Sequence, residues 1–146
     1  MSPDKDAMKN PSYRQVCSGT TGHVEVLNVE LNQPTPELFE ALIQFFFSFH
    51  DPTTMNRQGN DAGTQYASVI FCSDSQQKEI ANKVKTYLQA AMDSGKVTSY
   101  QASRISTGIV DYMDFYPAHE EHQEYLSKNP LGYCNHRYRF QDWPEL

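Results

Sequence analysis

The first side chain with both reactive chemistry and an informative setting is a carboxyl. From His23 to Leu31 the residues alternate with the two-residue period of a strand, so Glu25, Leu27, Val29 and Leu31 share one face while Asn28 and Glu30 share the other. A carboxyl on an apolar face loses water, which favours its neutral form, raises its pKa and equips it to donate a proton near neutral pH. The alternative is that Glu25 turns outward at the start of the strand or pairs with a distant cation. Cysteine chemistry is the second possibility. Cys134 stands beside Gly132, Tyr133 and Asn135 in a stretch without period, where a thiol has the exposure that exchange requires. Cys72 follows an apolar run and is expected to be inert, and Cys17 is ambiguous by the same test.

Other chemistries fail on spacing. His119-Glu120-Glu121-His122 puts two His on a helix with Cys134 and His136 not far behind. Those two His are three residues apart, whereas four would turn both toward one metal, and no third ligand is nominated. Paired Cys and paired His at zinc-finger spacing are absent, so no metal is expected. No Ser sits between flanking glycines as a nucleophile elbow requires, and no Gly-rich phosphate loop occurs. What remains is Glu25, Asp61, several tyrosines and Cys134.

The elements that must position these groups are legible in outline. Asn32 to Pro36 is a turn, with Thr35 as N-cap and Pro36 as first residue of a helix reaching about His50. Its stripe of Leu38, Leu42, Phe45 and Phe49, widened by Phe39, Ile43, Phe46 and Phe47, predicts a helix covered on more than one side. The stretch His50 to Gly63 is a loop rich in Gly, Asp and Thr, and Gln65 to Phe71, entered at Tyr66, reads as a central strand. Ser73 or Asp74 caps a second helix through Ile80, Val84, Tyr87, Leu88 and Ala91, stopped at Asp93-Ser94-Gly95. Val97 to Val110 is extended, Ala118 to Ser127 is a short helix, and 128–146 is an irregular tail around Asn129-Pro130 and Gly132. Residues 1–9 form a flexible lead-in. The order of strands and helices gives α/β or α+β.

Composition narrows the partners. The length of 146 residues suits one domain. A formal net charge of −6 with no Lys/Arg cluster argues against nucleic acid and against an anionic membrane surface, leaving neutral or peptide-like ligands open. No run of about 18 apolar residues exists, and Met1 to Asn10 lacks the apolar centre of a secretion signal. Three widely spaced cysteines suit a reducing compartment better than a disulfide framework. The expectation is a soluble, cytoplasmic protein, with an organelle also open should the natural N-terminus lie further upstream.

Several long motifs resemble the methionine sulfoxide reductase A family, in that family's order and across about Asn10 to Cys134. They are Asn10 to Tyr13 (N-P-S-Y), Val16 to Glu25 (V-C-S-G-T-T-G-H-V-E), all of His50 to Phe71, Glu121 to Leu126 (E-H-Q-E-Y-L) and Lys128 to Cys134 (K-N-P-L-G-Y-C). The resemblance implies a single α/β domain with a central mixed sheet flanked by helices and a ferredoxin-like core. It implies an oxidoreductase of protein repair under oxidative stress, reducing the S epimer of methionine sulfoxide in proteins and free in solution. No prosthetic cofactor is implied, thioredoxin or dithiothreitol serves as external reductant, and the working form is a monomer. Residue by residue, Glu25 matches the proton-donating glutamate. Tyr13 and Tyr66 match the tyrosines whose hydroxyls contact the sulfoxide oxygen, and Asp61 matches the pocket aspartate. His122 and Tyr125 match residues lining the substrate pocket, and Cys134 matches the resolving Cys that closes a disulfide onto the nucleophile.

One departure is large. The family's attacking thiol sits in a Gly-Cys-Phe-Trp motif at the end of its first strand, and that motif occurs nowhere in the 146 residues, whose single Trp is Trp143. Cys17 corresponds to the Cys of the Val-Cys-Ser-Gly segment, which is not the attacking thiol. The expectation is therefore a reductase whose first strand, first helix and nucleophile lie upstream of Met1, with no turnover by this chain alone. A non-catalytic relative that binds methionine sulfoxide, or the C-terminal part of a split protein, is the alternative. A smaller departure is Ala67, where many members carry Arg.

Overall fold

Two helices carry much of the buried surface, and each begins on a side-chain cap. In this computed structural model, which describes residues 1–145, α1 is a short helix over Tyr13–Cys17 and α2 spans Pro36–Phe49. The Thr35 hydroxyl accepts from the Leu38 N–H at 3.2 Å, and Pro36 occupies the first turn, where its missing N–H costs nothing. A hairpin of β1 (Arg57–Gln58) and β2 (Asp61–Ala62) follows, antiparallel with Gln58 opposite Asp61, and then a 3₁₀ turn over Thr64–Tyr66. Strand β3 (Val69–Cys72) leads into α3 (Ser75–Asp93), whose first turn is capped by Asp74 accepting from the Gln77 N–H at 2.8 Å. The chain returns in β4 (Gly108–Asp111), parallel to β3 with Val69 opposite Gly108 and Cys72 opposite Asp111. A parallel pair needs a long crossover, and α3 supplies it. A 3₁₀ turn at Glu120–His122 and the one-turn helix α4 (Tyr125–Lys128) precede the tail.

The core lies where α2 and α3 pack together against β3. Ile43 and Phe47 from α2 meet Ala81, Val84, Leu88 and Ala91 from α3, with Ile70, Cys72 and Val97 completing the cluster. Phe47 and Leu88 are fully buried, each contributing about 1.5–3 kcal/mol relative to an exposed side chain. Burial pushes the Cys72 thiol up to about 11, which keeps it protonated and unreactive. The tail returns to this core. Arg137 and Arg139 donate backbone N–H bonds to the Phe49 and Ser48 carbonyls, and Phe140 and Trp143 pack beside it. Leu146, the end of the expected irregular tail, lies outside the described residues.

The class is α/β, but several boundaries differ from the periodicity. Residues 23–31 run extended without a ladder, and the face expected to be apolar and covered instead leaves Leu27 at 87% and Val29 at 45% exposure. Backbone bonds tie only the start of that segment, from Val24 N–H to Met1 O and from Glu25 N–H to Gln65 O. The first residues of the lead-in are accordingly buried, with the Ser2 hydroxyl bonded to Gly22 O at 2.7 Å. On α2 the buried face is Ile43 and Phe47, whereas Leu38 and Phe45 from the expected stripe are exposed; Phe45 stacks on Phe49 instead. The strand expected over 65–71 starts at Val69, because the preceding residues coil into the 3₁₀ turn. Only Gly108 to Val110 of the 97–110 stretch pairs, and β4 runs one residue further to Asp111. The helix expected over 118–127 breaks at Glu124, whose φ of +52° lies in the left-handed region.

Candidate active site

Asp61 owes its place to a buried carboxylate. Asp51, 1% exposed, accepts from the Thr53 N–H and hydroxyl on one oxygen and from the Gln101 N–H at 3.0 Å on the other. Its carbonyl accepts from the Gln58 side-chain amide at 2.8 Å, which anchors β1 and so the hairpin carrying Asp61. Beyond the hairpin Gly63 takes φ +151°, and an added Cβ would run into the Gln65 amide. That close approach lets Gln65 reach back: its amide donates to the Cys17 carbonyl at 3.2 Å, while the Thr64 hydroxyl donates to the Gly19 carbonyl at 3.1 Å. The short α1 is thereby tied to the turn that carries Tyr66. On its other side the Tyr13 ring stacks on His122, with centroids 4.1 Å apart and planes 22° apart.

The backbone brings Glu25 beside Tyr66, its N–H donating to the Gln65 carbonyl at 2.9 Å, and the charges of these groups act on one another. Burial raises the Glu25 carboxyl above its ordinary value; the negative charge of Asp61 adds to this and His122 opposes it. Tyr13 is pushed up to about 12, first by a hydrogen bond with the Cys17 side chain, then by burial and by the charges of Cys17, Glu25 and Tyr66. Tyr66 is raised as well, by burial and then by Glu25, Asp61 and Cys17. Two phenols that keep their protons at neutral pH are donors, and a carboxyl with a raised pKa is an acid, so the group can hold a polar oxygen and protonate it. The patch is open: Tyr13 is 39% exposed and Glu25 is exposed as a residue, so its carboxyl is only partly withdrawn from water. A hollow of about 440 Å³ beside Met92, Tyr100 and Ser103 carries none of these groups.

The remaining nominated residues divide. His122 belongs to the patch through Tyr13 and its field on Glu25. Cys134 is exposed, and the residue after it reaches the patch: the Asn135 amide donates to Gln58 O at 2.7 Å and to Asp61 Oδ2 at 2.9 Å. Tyr125 is the outlier, its ring lying over Gly132 so closely that a Cβ there would sit 2.6 Å from Cε1.

Residues 5–143 match the family model described as "Peptide methionine sulfoxide reductase". The chain belongs to this family. A peptide methionine sulfoxide reductase MsrA of Trichodesmium erythraeum is 46% identical over 127 residues, covering 86% of this chain and 67% of the relative. The MsrA of Azorhizobium caulinodans is 47% identical over 125 residues, again 86% of this chain but 55% of that protein. Among solved structures, the reduced form of Mxr1 from Saccharomyces cerevisiae superposes with a TM-score of 0.77 at 38% identity, covering 94% of this chain and 73% of that one. The chain thus spans roughly half to two-thirds of the length of these curated reductases.

Within the reductase family frame, the structure adds residues that the sequence reading missed. Gln65 joins α1 to the Tyr66 turn, and no sequence signal marked it. Asn135 was visible only as the neighbour of a nominated thiol, His136 was weighed only as a metal ligand, and Cys17, ambiguous in the sequence, enters as the partner of Tyr13. His119 and His122 both flank Tyr13, His122 stacked at 4.1 Å and His119 tilted at 6.0 Å, where its Nδ1 also lies 3.7 Å from Glu121. Among the described residues no three His, Cys, Asp or Glu gather as metal ligands, and no helix is long and apolar enough to cross a membrane.

Proposed function

We propose that these residues form the proton-donating and thiol-resolving part of a peptide-methionine (S)-S-oxide reductase domain. It acts on oxidised methionine in proteins and on free methionine sulfoxide, and works as a cytoplasmic monomer recycled by thioredoxin or, in vitro, dithiothreitol. The observation that carries this reading is the convergence of Glu25, Tyr13, Tyr66 and Asp61 on one patch in a chain of this family. A thiolate attacking the sulfoxide sulfur drives an electron pair onto oxygen. That oxygen then needs donors where its charge develops and an acid to protonate it. Tyr13 and Tyr66 supply the hydroxyl donors, Glu25 supplies the proton, and Asp61 and His122 set the field around Glu25. Methionine departs, leaving a cysteine sulfenic acid, which Cys134 attacks to form a disulfide with loss of water. The attacking thiol belongs to the Gly-Cys-Phe-Trp motif, which the 146 residues do not contain. We therefore assign to this chain the proton donation of the first step and the resolving thiol of the second, and expect no turnover from it alone.

The test is reconstitution. An N-terminal segment carrying the Gly-Cys-Phe-Trp motif is fused ahead of the chain, and dithiothreitol-driven reduction of the two methionine sulfoxide epimers is followed. Reduction of the S epimer only, lost in Glu25→Ala, is expected. Equal reduction of both epimers, or none by a folded fusion, overturns the reading.

A further inference from the structure

Cys134 is flanked by two side chains that do separate jobs. Asn135 fixes the backbone of this segment to the hairpin through Gln58 O and Asp61 Oδ2. His136, two residues on, lays its ring parallel to Phe49, with 6.0 Å between centroids and 16° between planes, and turns Nδ1 to 3.8 Å from the Cys134 sulfur. An exposed thiol in an otherwise irregular tail has no structural need of an imidazole so placed. We propose that His136 is the catalytic base of the resolving step, accepting the Cys134 thiol proton at Nδ1. The inference rests on the reductase reading and deepens it. The Cys134 proton passes to Nδ1 and its sulfur attacks the sulfur of a cysteine sulfenic acid. The S–S bond forms, the S–O bond breaks, and the departing hydroxide takes the proton back from the imidazolium as water. His136 ends neutral, so the step balances.

The surroundings suit a base. The ionisable groups around His136 are Cys134, Asp61, His50 and Arg139. His136 is solvent-accessible as a residue; partial desolvation of its ring against Phe49 and then the Arg139 charge lower the imidazole below its ordinary value, with Asp61 opposing, which leaves it neutral and able to accept near pH 7. The sulfur attacks as thiolate, and an acceptor 3.8 Å away lets the proton leave as the S–S bond forms, so the step does not wait for bulk hydroxide.

The full chain tests this without any reductase activity, because the reading is thiol chemistry at one residue. Alkylation of Cys134 by iodoacetamide is timed by peptide mass spectrometry between pH 6 and 9 for the native chain, His136→Ala and His136→Gln, with circular dichroism confirming the fold. Both variants are expected to react about fivefold or more slowly at pH 7 and to converge on the native rate by pH 9, where bulk hydroxide ionises the thiol. Gln keeps a hydrogen-bond acceptor but takes no proton; if Gln restores the pH 7 rate, or if neither variant slows it, His136 is not a base. A fusion inactive on methionine sulfoxide would overturn the reductase reading and leave this measurement standing.

Discussion

As the proposed proton donor, Glu25 acts only in its protonated form, and its environment fixes the direction of its pH response. Burial and the Asp61 carboxylate raise its pKa, so the acid persists to higher pH than in an ordinary glutamate, and a reaction needing its proton declines as pH rises through that raised value. The same shift acts on stability with the opposite utility. A carboxyl whose folded pKa exceeds its unfolded one binds protons more readily in the folded state, so the fold is penalised above the folded pKa and relieved below the unfolded one. Glu25→Gln is therefore expected to raise the melting temperature of this chain at pH 7 and leave it unchanged at pH 4. In the reconstituted fusion the same variant is expected to lose about a hundredfold or more in turnover. A Gln variant no more stable at pH 7 would show that the carboxyl is not desolvated. Tyr13→Phe and Tyr66→Phe each remove one donor and are expected to cost turnover without changing the pH at which Glu25 titrates out.

At the scale of elements, one buried hydrogen-bond chain joins three of them. His50, just past α2, donates from Nδ1 to the Phe46 carbonyl at 2.6 Å and accepts at Nε2 from the Ser68 hydroxyl at 2.8 Å; Ser68 in turn accepts from Thr107 at 2.8 Å, just ahead of β4. Burial, with smaller contributions from His136 and Arg139, lowers the His50 pKa to about 4. The unfolded chain then binds the extra proton between about pH 6.5 and 4, so stability is complete above that window and falls as pH drops through it, by about 3 kcal/mol for this group. His23 and His136 are lowered too and add in the same direction. Urea unfolding at pH 7 and pH 4.5 is expected to show this loss, and a folded His50→Gln chain to show a shallower slope; equal slopes would exclude His50 as the source. His50 opened the most distinctive stretch of the sequence, yet no pattern there identified it as a buried link. Both long helices were legible because their caps, Thr35 and Asp74, act locally. Residues 23–31 and 118–127 were not, since a strand needs a partner and a one-turn helix needs packing, and neither requirement is written in period. Glu25 was nominated by the alternation of a strand that does not form and again by motif resemblance, Asp61 and the tyrosines took their roles from the resemblance, and Asn135 escaped because its role depends on a residue 74 positions away.

For the whole molecule the decisive contrast is between a well-filled core and an open edge. Where α2 meets α3, Phe47 is wholly enclosed, so Phe47→Ala is expected to cost about 3–5 kcal/mol through lost contact and the cavity left behind. On the other side, the extended segment through Leu27 and Val29 offers apolar side chains and backbone groups outside any ladder, the arrangement through which strands of separate molecules pair. The net charge of −6 opposes association at low ionic strength, and added salt screens that repulsion without weakening the apolar contact. The chain is therefore expected to self-associate more readily as salt increases, and Leu27→Lys with Val29→Lys to suppress it while leaving the circular dichroism spectrum intact. Light scattering at matched concentrations decides the matter: native and double-variant chains that scatter equally in high salt would mean that this edge is not the adhesive surface. Glu25 lies two residues before Leu27 on this segment, so the Lys charges of the double variant favour its ionised form, and the Glu25-dependent difference in melting temperature between pH 7 and pH 4 is expected to shrink in that variant.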